Sequence, residues 1–138
     1  MVNLNMPVYS FLGFNLLKCD FTRISKETVS KFSLKLKGNE YDEDKRIYSI
    51  GIQVILKYGK DEQSNFLFNA GFKINDDEWK RSMKDKELNQ LFLSVVFPFV
   101  RKMISDITDD SRGSFIIPII DLRNIDLDKG LSFINTSK

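Results

Sequence analysis

The chain has 138 residues, of which 42% are apolar and 29% are charged, a composition typical of one globular domain and not of a disordered chain. Its net charge of +2 is spread along the sequence, which argues against the concentrated basic patch of a nucleic-acid-binding protein. The absence of histidine excludes Ser-His-Asp catalysis and most zinc sites. We therefore expect a single domain over residues 1–138, with no metal, no cofactor and no nucleic-acid partner.

Four consecutive segments alternate apolar and polar residues, which is the pattern of half-buried β-strands. They cover residues 14–24, 29–38, 46–59 and 64–74. Because short polar turns join them, an antiparallel meander is the simplest topology. In the first strand the pattern places Leu17, Cys19 and Phe21 on the apolar face.

Lysines dominate the polar face of the second predicted strand, where Lys31, Lys35 and Lys37 alternate with apolar residues. They are the nearest approach to a basic patch in the sequence. Since the alternation is that of a half-buried strand, we interpret these lysines as a solvated sheet face and not as a phosphate-binding patch.

A long helix is predicted from about Lys86 to Ile107, where apolar residues recur at helical spacing, after a polar loop with a short helical turn. The stretch LFLSVVFPFV at 91–100 is apolar almost all round, which indicates a helix buried on more than one side. One sheet and one helix cannot bury the second side, so we predict a contact with a like helix of another copy. Pro98 removes one backbone hydrogen bond, so a kink is expected there. The residues predicted at this oligomer interface are Phe92, Val96, Phe99, Val100 and Met103.

After the helix, the sequence predicts a turn, an extended segment at 114–120 that contains Pro118, and a short amphipathic end helix within 121–135 with Phe133 on its apolar side. The four aspartates of this region are of a residue type that binds metals or acts as acid and base. They are Asp106, Asp109, Asp110 and Asp121. Aspartate and serine are common at helix ends and turns for local hydrogen bonding, so we expect no enzyme.

Cysteine usage and the chain's ends bear on compartment and on chemistry. The single cysteine, Cys19, cannot form an internal disulfide, which favours a reducing compartment. With no histidine to activate it, we predict a small buried residue and not a nucleophile. The first ten residues lack the features of a signal peptide, and the run 91–100 is shorter than the roughly 20 residues that span a bilayer. We therefore expect a cytoplasmic protein without membrane insertion.

An ordered set of motifs runs through the second half of the chain. In order, they are the Phe-Pro-Phe step at 97–99, Arg101, the Gly-Ser-Phe turn at 113–115, Pro118 and Asp121. Together they resemble the SecB family of protein-export chaperones, including the SecB-like chaperones associated with toxin–antitoxin systems. The match extends from about Leu91 to Leu127, and the strands before it agree with that family in number and spacing.

That resemblance implies an α+β fold in which a four-stranded antiparallel sheet is packed by one long helix and a short C-terminal helix, assembled as a dimer of dimers. It implies an ATP-independent holdase that keeps unfolded polypeptides in apolar grooves, as in preprotein export. The grooves would lie between the second strand, the loop before it and the last helix. The residues carried over by position to this peptide-binding groove are Phe32, Leu34, Leu36, Leu122, Ile125 and Leu127.

Two alternatives to the export role stay open. Export members use acidic residues on the outer sheet face and an acidic tail to engage the SecA motor, whereas this chain is slightly basic. We therefore expect docking on SecA to be weakened, and a chaperone dedicated to one antitoxin is the alternative within the family. An alternative of another class is a non-chaperone oligomeric adaptor protein.

Overall fold

The computed structural model describes residues 7–21, 29–58, 62–109 and 131–134. These residues form five strands and two helices. The elements are, in chain order, β1 (Tyr9–Asp20), β2 (Val29–Asp42), β3 (Ile47–Tyr58), β4 (Glu62–Ile74), α1 (Asp77–Ser82), α2 (Asp85–Thr108) and β5 (Leu131–Ile134). The predicted α+β class is confirmed: four long antiparallel strands pack against one long helix.

The strand order across the sheet is β1-β4-β3-β2-β5, and every neighbouring pair is antiparallel. The consecutive strands β2, β3 and β4 form the predicted meander. The prediction is wrong for β1, which pairs with β4 and not with its neighbour in sequence. Turn residues specify a hairpin between adjacent strands, but they carry no signal for which sheet edge a separate strand joins.

One face of the sheet, here called the inner face, forms the core together with α2. Every second residue from Tyr48 to Leu56 on β3, and from Phe66 to Ile74 on β4, is buried. The helix contributes a buried apolar stripe made of every fourth residue, namely Leu88, Phe92, Val96, Val100 and Ile104. This spacing keeps the stripe on one side of a helix, and the hydrophobic effect then holds that side on the sheet.

The two helices begin at local hydrogen bonds that the sequence encodes. Asp76 precedes α1, and its carboxylate accepts a hydrogen bond from the Trp79 backbone N–H at 3.1 Å, which satisfies a free donor of the first turn. Before α2, the Glu87 carboxylate accepts from the Lys84 N–H at 3.1 Å. The helix α2 then continues across Pro98 to Thr108 as one element, so the expected kink stays a prediction.

Strand β1 carries two β-bulges, which change the predicted side-chain pattern. The register with β4 skips Leu12 and Leu17, and both side chains are more than half exposed. A bulge adds one residue and reverses the alternation that follows it, so Leu16 and not Leu17 lies opposite the buried Phe68. The predicted apolar face of this strand is therefore wrong at Leu17. Cys19, predicted to be buried, is exposed because it lies at the end of an edge strand.

The last described segment corrects the prediction for the C-terminal region. Leu131–Ile134 forms β5 on the free edge of β2, so Phe133 belongs to a strand and not to an end helix. The rest of the predicted end helix, up to residue 130, lies outside the described residues. No described helix has the length and apolar character needed to cross a membrane.

Candidate functional site

The inner face of β2 holds the first half of the predicted peptide-binding groove. Phe32 and Leu34 are 3% and 0% exposed, whereas Leu36 is half-buried. The three residues share one face, and Leu36 lies opposite Ile52 of β3. Phe32 and Leu34 therefore belong to the core of the chain, and Leu36 is the accessible member of the three.

The other predicted groove residues, Leu122, Ile125 and Leu127, lie outside the described residues. The structure therefore leaves their part of the groove as a prediction from the sequence. For the groove, the structure describes only β2 and the strand β5, which follows these residues in the chain.

The free edge of β2 is divided into two parts. Strand β5 pairs with it from Lys31 to Leu34. Among the described strands none pairs with this edge from Lys35 to Asp42. An open edge presents backbone N–H and C=O groups to which an extended polypeptide can add as a further strand.

An accessible inner-face surface borders that open part of the edge. Tyr41 lies opposite Tyr48 and therefore shares the inner face with Leu36. Its ring is half-buried and lies under the Lys80 ammonium group, with Nζ 4.1 Å from the ring centroid. An apolar residue and an aromatic ring beside an open strand edge form a surface suited to an extended polypeptide with apolar side chains.

The five residues predicted at an oligomer interface lie on two sides of α2. Phe92, Val96 and Val100 are fully buried against this chain's own sheet. In this fold they do not lie on the outer side of the helix, where a second copy would pack. Phe99 is 47% exposed and Met103 is half-buried, so these two remain available to such a contact.

An aromatic surface at the β1 edge was missed by the sequence analysis. The exposed Phe99 ring lies 5.6 Å from the ring of Phe11 and 5.9 Å from that of Phe14, measured between centroids. Both partners are on β1, the edge strand of the described sheet. The sequence SFLGF contained a signal, because an alternating pattern that changes phase before a glycine is typical of a bulged strand.

A series of hydrogen bonds, buried at Tyr48 and Asn89, connects α2 to the sheet. The Tyr48 hydroxyl donates to Asn89 Oδ1 at 2.7 Å and accepts from Asn39 Nδ2 at 2.6 Å. Burial raises the pKa of Tyr48, although the hydrogen bond from Asn39 acts in the opposite direction. These hydrogen bonds link β2, β3 and α2. Loss of one partner would lower the free energy of unfolding, because a buried polar group would be left without a hydrogen bond.

Among the described residues, those considered for catalysis do not form a reactive cluster. Partial desolvation, and secondarily the negative charge of Asp20, raise the pKa of the exposed Cys19 thiol, which makes it a weaker nucleophile at neutral pH. Asp106 forms an exposed ion pair with Lys102 at 3.2 Å. Among the described residues there is no group of three or more metal-binding side chains. Asp110 and Asp121 lie outside those residues.

Comparison with known proteins places the fold. Neither a protein-family model nor a characterised protein sequence matches the chain. Among solved structures, the Mycobacterium tuberculosis Rv1957 SecB-like chaperone, in complex with a ChAD peptide from the Rv1956 HigA1 antitoxin, matches with a TM-score of 0.61 at 15% identity. The match covers 81% of this chain and 89% of that one. A Streptococcus agalactiae protein of unknown function, 12% identical over 80% of this chain and 93% of its own, has a TM-score of only 0.32 and supports no conclusion.

Proposed function

We propose that this chain is an ATP-independent chaperone that holds unfolded polypeptide segments. The observation that carries the proposal is the fold shared with a SecB-like chaperone that was solved with a peptide bound. The motifs between Leu91 and Leu127 resemble the same family and support the proposal from the sequence. Chaperones of this kind bind by exposed apolar surface and strand edges, and they need neither a metal nor a catalytic residue.

The proposed client site lies beside β2 on the inner face. An extended client segment adds to the open edge between Lys35 and Asp42 and places apolar side chains against Leu36 and Tyr41. The predicted residues of the last segment, such as Leu122, would cover its other side. Main-chain hydrogen bonds to a strand edge do not depend on side-chain identity, which suits a site that binds unfolded chains.

A role dedicated to one antitoxin is favoured over preprotein export. The peptide bound by the Mycobacterium tuberculosis chaperone comes from an antitoxin. The outer sheet face of this chain carries lysines where export chaperones are acidic, and charge complementarity decides partner choice. We therefore propose an antitoxin as the client, with docking on SecA not supported by the charges.

We further propose that the chain assembles with itself, as a tetramer in the cytoplasm. The surface for the contact between copies is the aromatic edge formed by Phe11, Phe14 and Phe99, together with the outer side of α2. An exposed aromatic surface on an edge strand is a common site of association.

The proposal is tested by the aggregation of a chemically unfolded client protein, diluted from denaturant with and without the chaperone and without ATP. We expect the wild-type protein to suppress light scattering at stoichiometric amounts. The double variant Leu122→Glu with Ile125→Glu should keep its assembly and lose this effect. The matched control is Lys45→Glu with Lys73→Glu, which adds two carboxylates at exposed positions away from α2 and from the proposed client site. A non-chaperone adaptor would not suppress scattering in any form, and that result would contradict the proposal.

Native purification from the host distinguishes the two client classes. A dominant small protein encoded nearby supports the antitoxin role, whereas many secretory precursors support export. A monomer with no associated polypeptide would contradict both the assembly and the chaperone proposal.

A further inference from the structure

The outer face of the sheet, which is turned away from α2, is strongly basic at one end. This end is where β1 and β3 finish and β2 and β4 begin. The lysines of this basic face are Lys18, Lys31, Lys35, Lys37 and Lys57. Among the residues that the structure describes, the acidic residues at this end are Asp20, near the end of β1, and Glu62, the first residue of β4. The face therefore has a local positive charge well above that of the chain as a whole.

These lysines come from three strands of the sheet. Lys31 and Lys57 lie directly opposite one another on β2 and β3. Lys35 on β2 and Lys18 on β1 lie at the two ends of a row of paired residues across the sheet, with Gln53 and Leu67 between them. A surface that concentrates charge of one sign favours the approach of an oppositely charged partner.

A trough crosses this face between the lysines. It consists of two depressions, of about 340 Å³ and about 300 Å³, which share Lys37 as a wall. Each depression also has one acidic residue in its lining, Asp20 in the larger and Glu40 in the smaller. The uncharged polar residues along the trough are Asn39, Ser49, Gln53, Asn65 and Asn69. From Ser49 to Gln53 the lining of β3 covers about 13 Å at about 3.3 Å per residue, which is the length of a short extended segment.

Gly51 leaves the floor of the trough open although the fold does not require a glycine there. Its φ is outside the left-handed region, and a Cβ added to it would meet the Lys37 Cβ at 3.5 Å, an ordinary van der Waals distance. The backbone and the packing would therefore accept a larger residue. The missing side chain enlarges the space between Lys37 and Asn69.

We propose that the trough binds an extended acidic polypeptide segment of a partner protein. The lysines pair with its carboxylates, and the amides of Gln53, Asn65 and Asn69 offer the donors and acceptors that its backbone needs. A single-stranded nucleic acid fits less well, because such sites stack bases on aromatic rings. On the described outer face no side chain is aromatic. The trough lies on the outer face, whereas the apolar contacts proposed for the client are on the inner face, so this inference goes beyond that function.

The test measures fluorescence anisotropy of a labelled peptide of alternating glutamate and threonine, with a glutamine–threonine peptide as the uncharged probe. The intact protein should bind the acidic probe and not the uncharged one, with an affinity that falls as salt is added. Lys18→Glu, Lys35→Glu and Lys37→Glu together should weaken binding at least about tenfold, the loss of roughly 1.4 kcal/mol.

The matched control is a second triple variant, which has the same change in net charge but replaces lysines that do not lie on the outer face. It combines Lys45→Glu, Lys86→Glu and Lys102→Glu, and it should change the affinity by less than about twofold. Gly51→Thr keeps every lysine, suits a strand and fills the floor, so it should also weaken binding of the acidic probe.

Three results would overturn the proposal. They are equal loss in both triple variants, unchanged binding by Gly51→Thr, and tighter binding of an oligouridylate than of the acidic peptide. Suppression of client aggregation should be unaffected by Gly51→Thr, a change on β3 outside the proposed client site, so failure here is separate from failure of the chaperone proposal.

Discussion

The inner and outer faces of the same sheet differ in what their side chains do. On β3 and β4 the inner face forms the buried apolar core, in which the ring of Phe72 stacks on that of the helix residue Phe92 with centroids 4.0 Å apart. The outer face of these strands carries amides, glycines and lysines that are half-buried or exposed. Because side chains alternate along a strand, one backbone can separate the residues that stabilise the fold from the residues that meet a partner.

The largest expected effect is on the inner face, at Phe92. Its ring contacts those of Phe72, Tyr9 and Tyr48, at centroid distances of 4.0, 5.1 and 5.4 Å. Phe92→Ala should lower the free energy of unfolding by about 3–5 kcal/mol, through lost burial and the cavity that remains. Urea unfolding followed by circular dichroism measures it. Lys102→Ala on the exposed side of the helix is the control and should stay within about 0.5 kcal/mol; equal losses would refute the assignment of faces.

A smaller effect is expected at the hydrogen bonds of Tyr48 on the inner face. Tyr48→Phe removes the hydroxyl that lies between Asn39 and Asn89. It should lower the free energy of unfolding by about 1–3 kcal/mol, because the buried Asn89 oxygen loses its donor. Tyr9→Phe changes a tyrosine that takes no part in the hydrogen bonds between Asn39, Tyr48 and Asn89. It is the control in the same urea titration. A neutral result at Tyr48 would show that water replaces the hydroxyl.

The same tyrosine makes stability depend on pH in the alkaline range. Burial raises the pKa of Tyr48 in the folded state, whereas in the unfolded chain a tyrosine titrates near about 10. Above that pH the unfolded state releases the proton and the folded state retains it, so the free energy of unfolding falls as pH rises. The difference in stability between wild type and Tyr48→Phe should therefore shrink above about pH 10. A constant difference up to higher pH would contradict a buried, protonated hydroxyl.

The smallest expected effect is on the outer face and has the opposite sign. Lys31→Glu replaces a like-charge pair with Lys57 by an opposite-charge pair. It should raise the free energy of unfolding by about 0.2–1 kcal/mol at low salt. Lys45→Glu, in the turn between β2 and β3, is the control for net charge. A destabilised Lys31→Glu variant would mean that the lysines of the outer face support the fold themselves.

Three of the four strands and the long helix could be predicted because their signals are local. On β3, alternation over Tyr48–Leu56 is uninterrupted, and on α2 the apolar stripe fits a helix. On β1 the same reasoning gave the wrong face at Leu17 and a wrong burial at Cys19. Each bulge there changes the phase of the pattern by one residue, and alternation alone does not locate a bulge.

The candidate site was predictable only in part. Leu36 lies on the inner face as expected, whereas the neighbouring Phe32 and Leu34 are closed into the core. On α2, Phe92 is buried against the centre of the sheet, whereas Phe99 is about half exposed and contacts Phe11 and Phe14 at the β1 edge. An apolar helix indicates burial on several sides, but it does not tell which residue meets the sheet and which meets another surface.

The sequence by itself determined the α+β class, the three strands of the meander, the extent of α2 and the absence of histidine chemistry. These follow from composition and from side-chain periods that extend over neighbouring residues. Only the tertiary structure decided that β1 joins β4, that β5 covers part of the β2 edge, and that lysines from three strands share one face. Those features arise from pairing between segments far apart in the chain, and each depends on a register that no local pattern specifies.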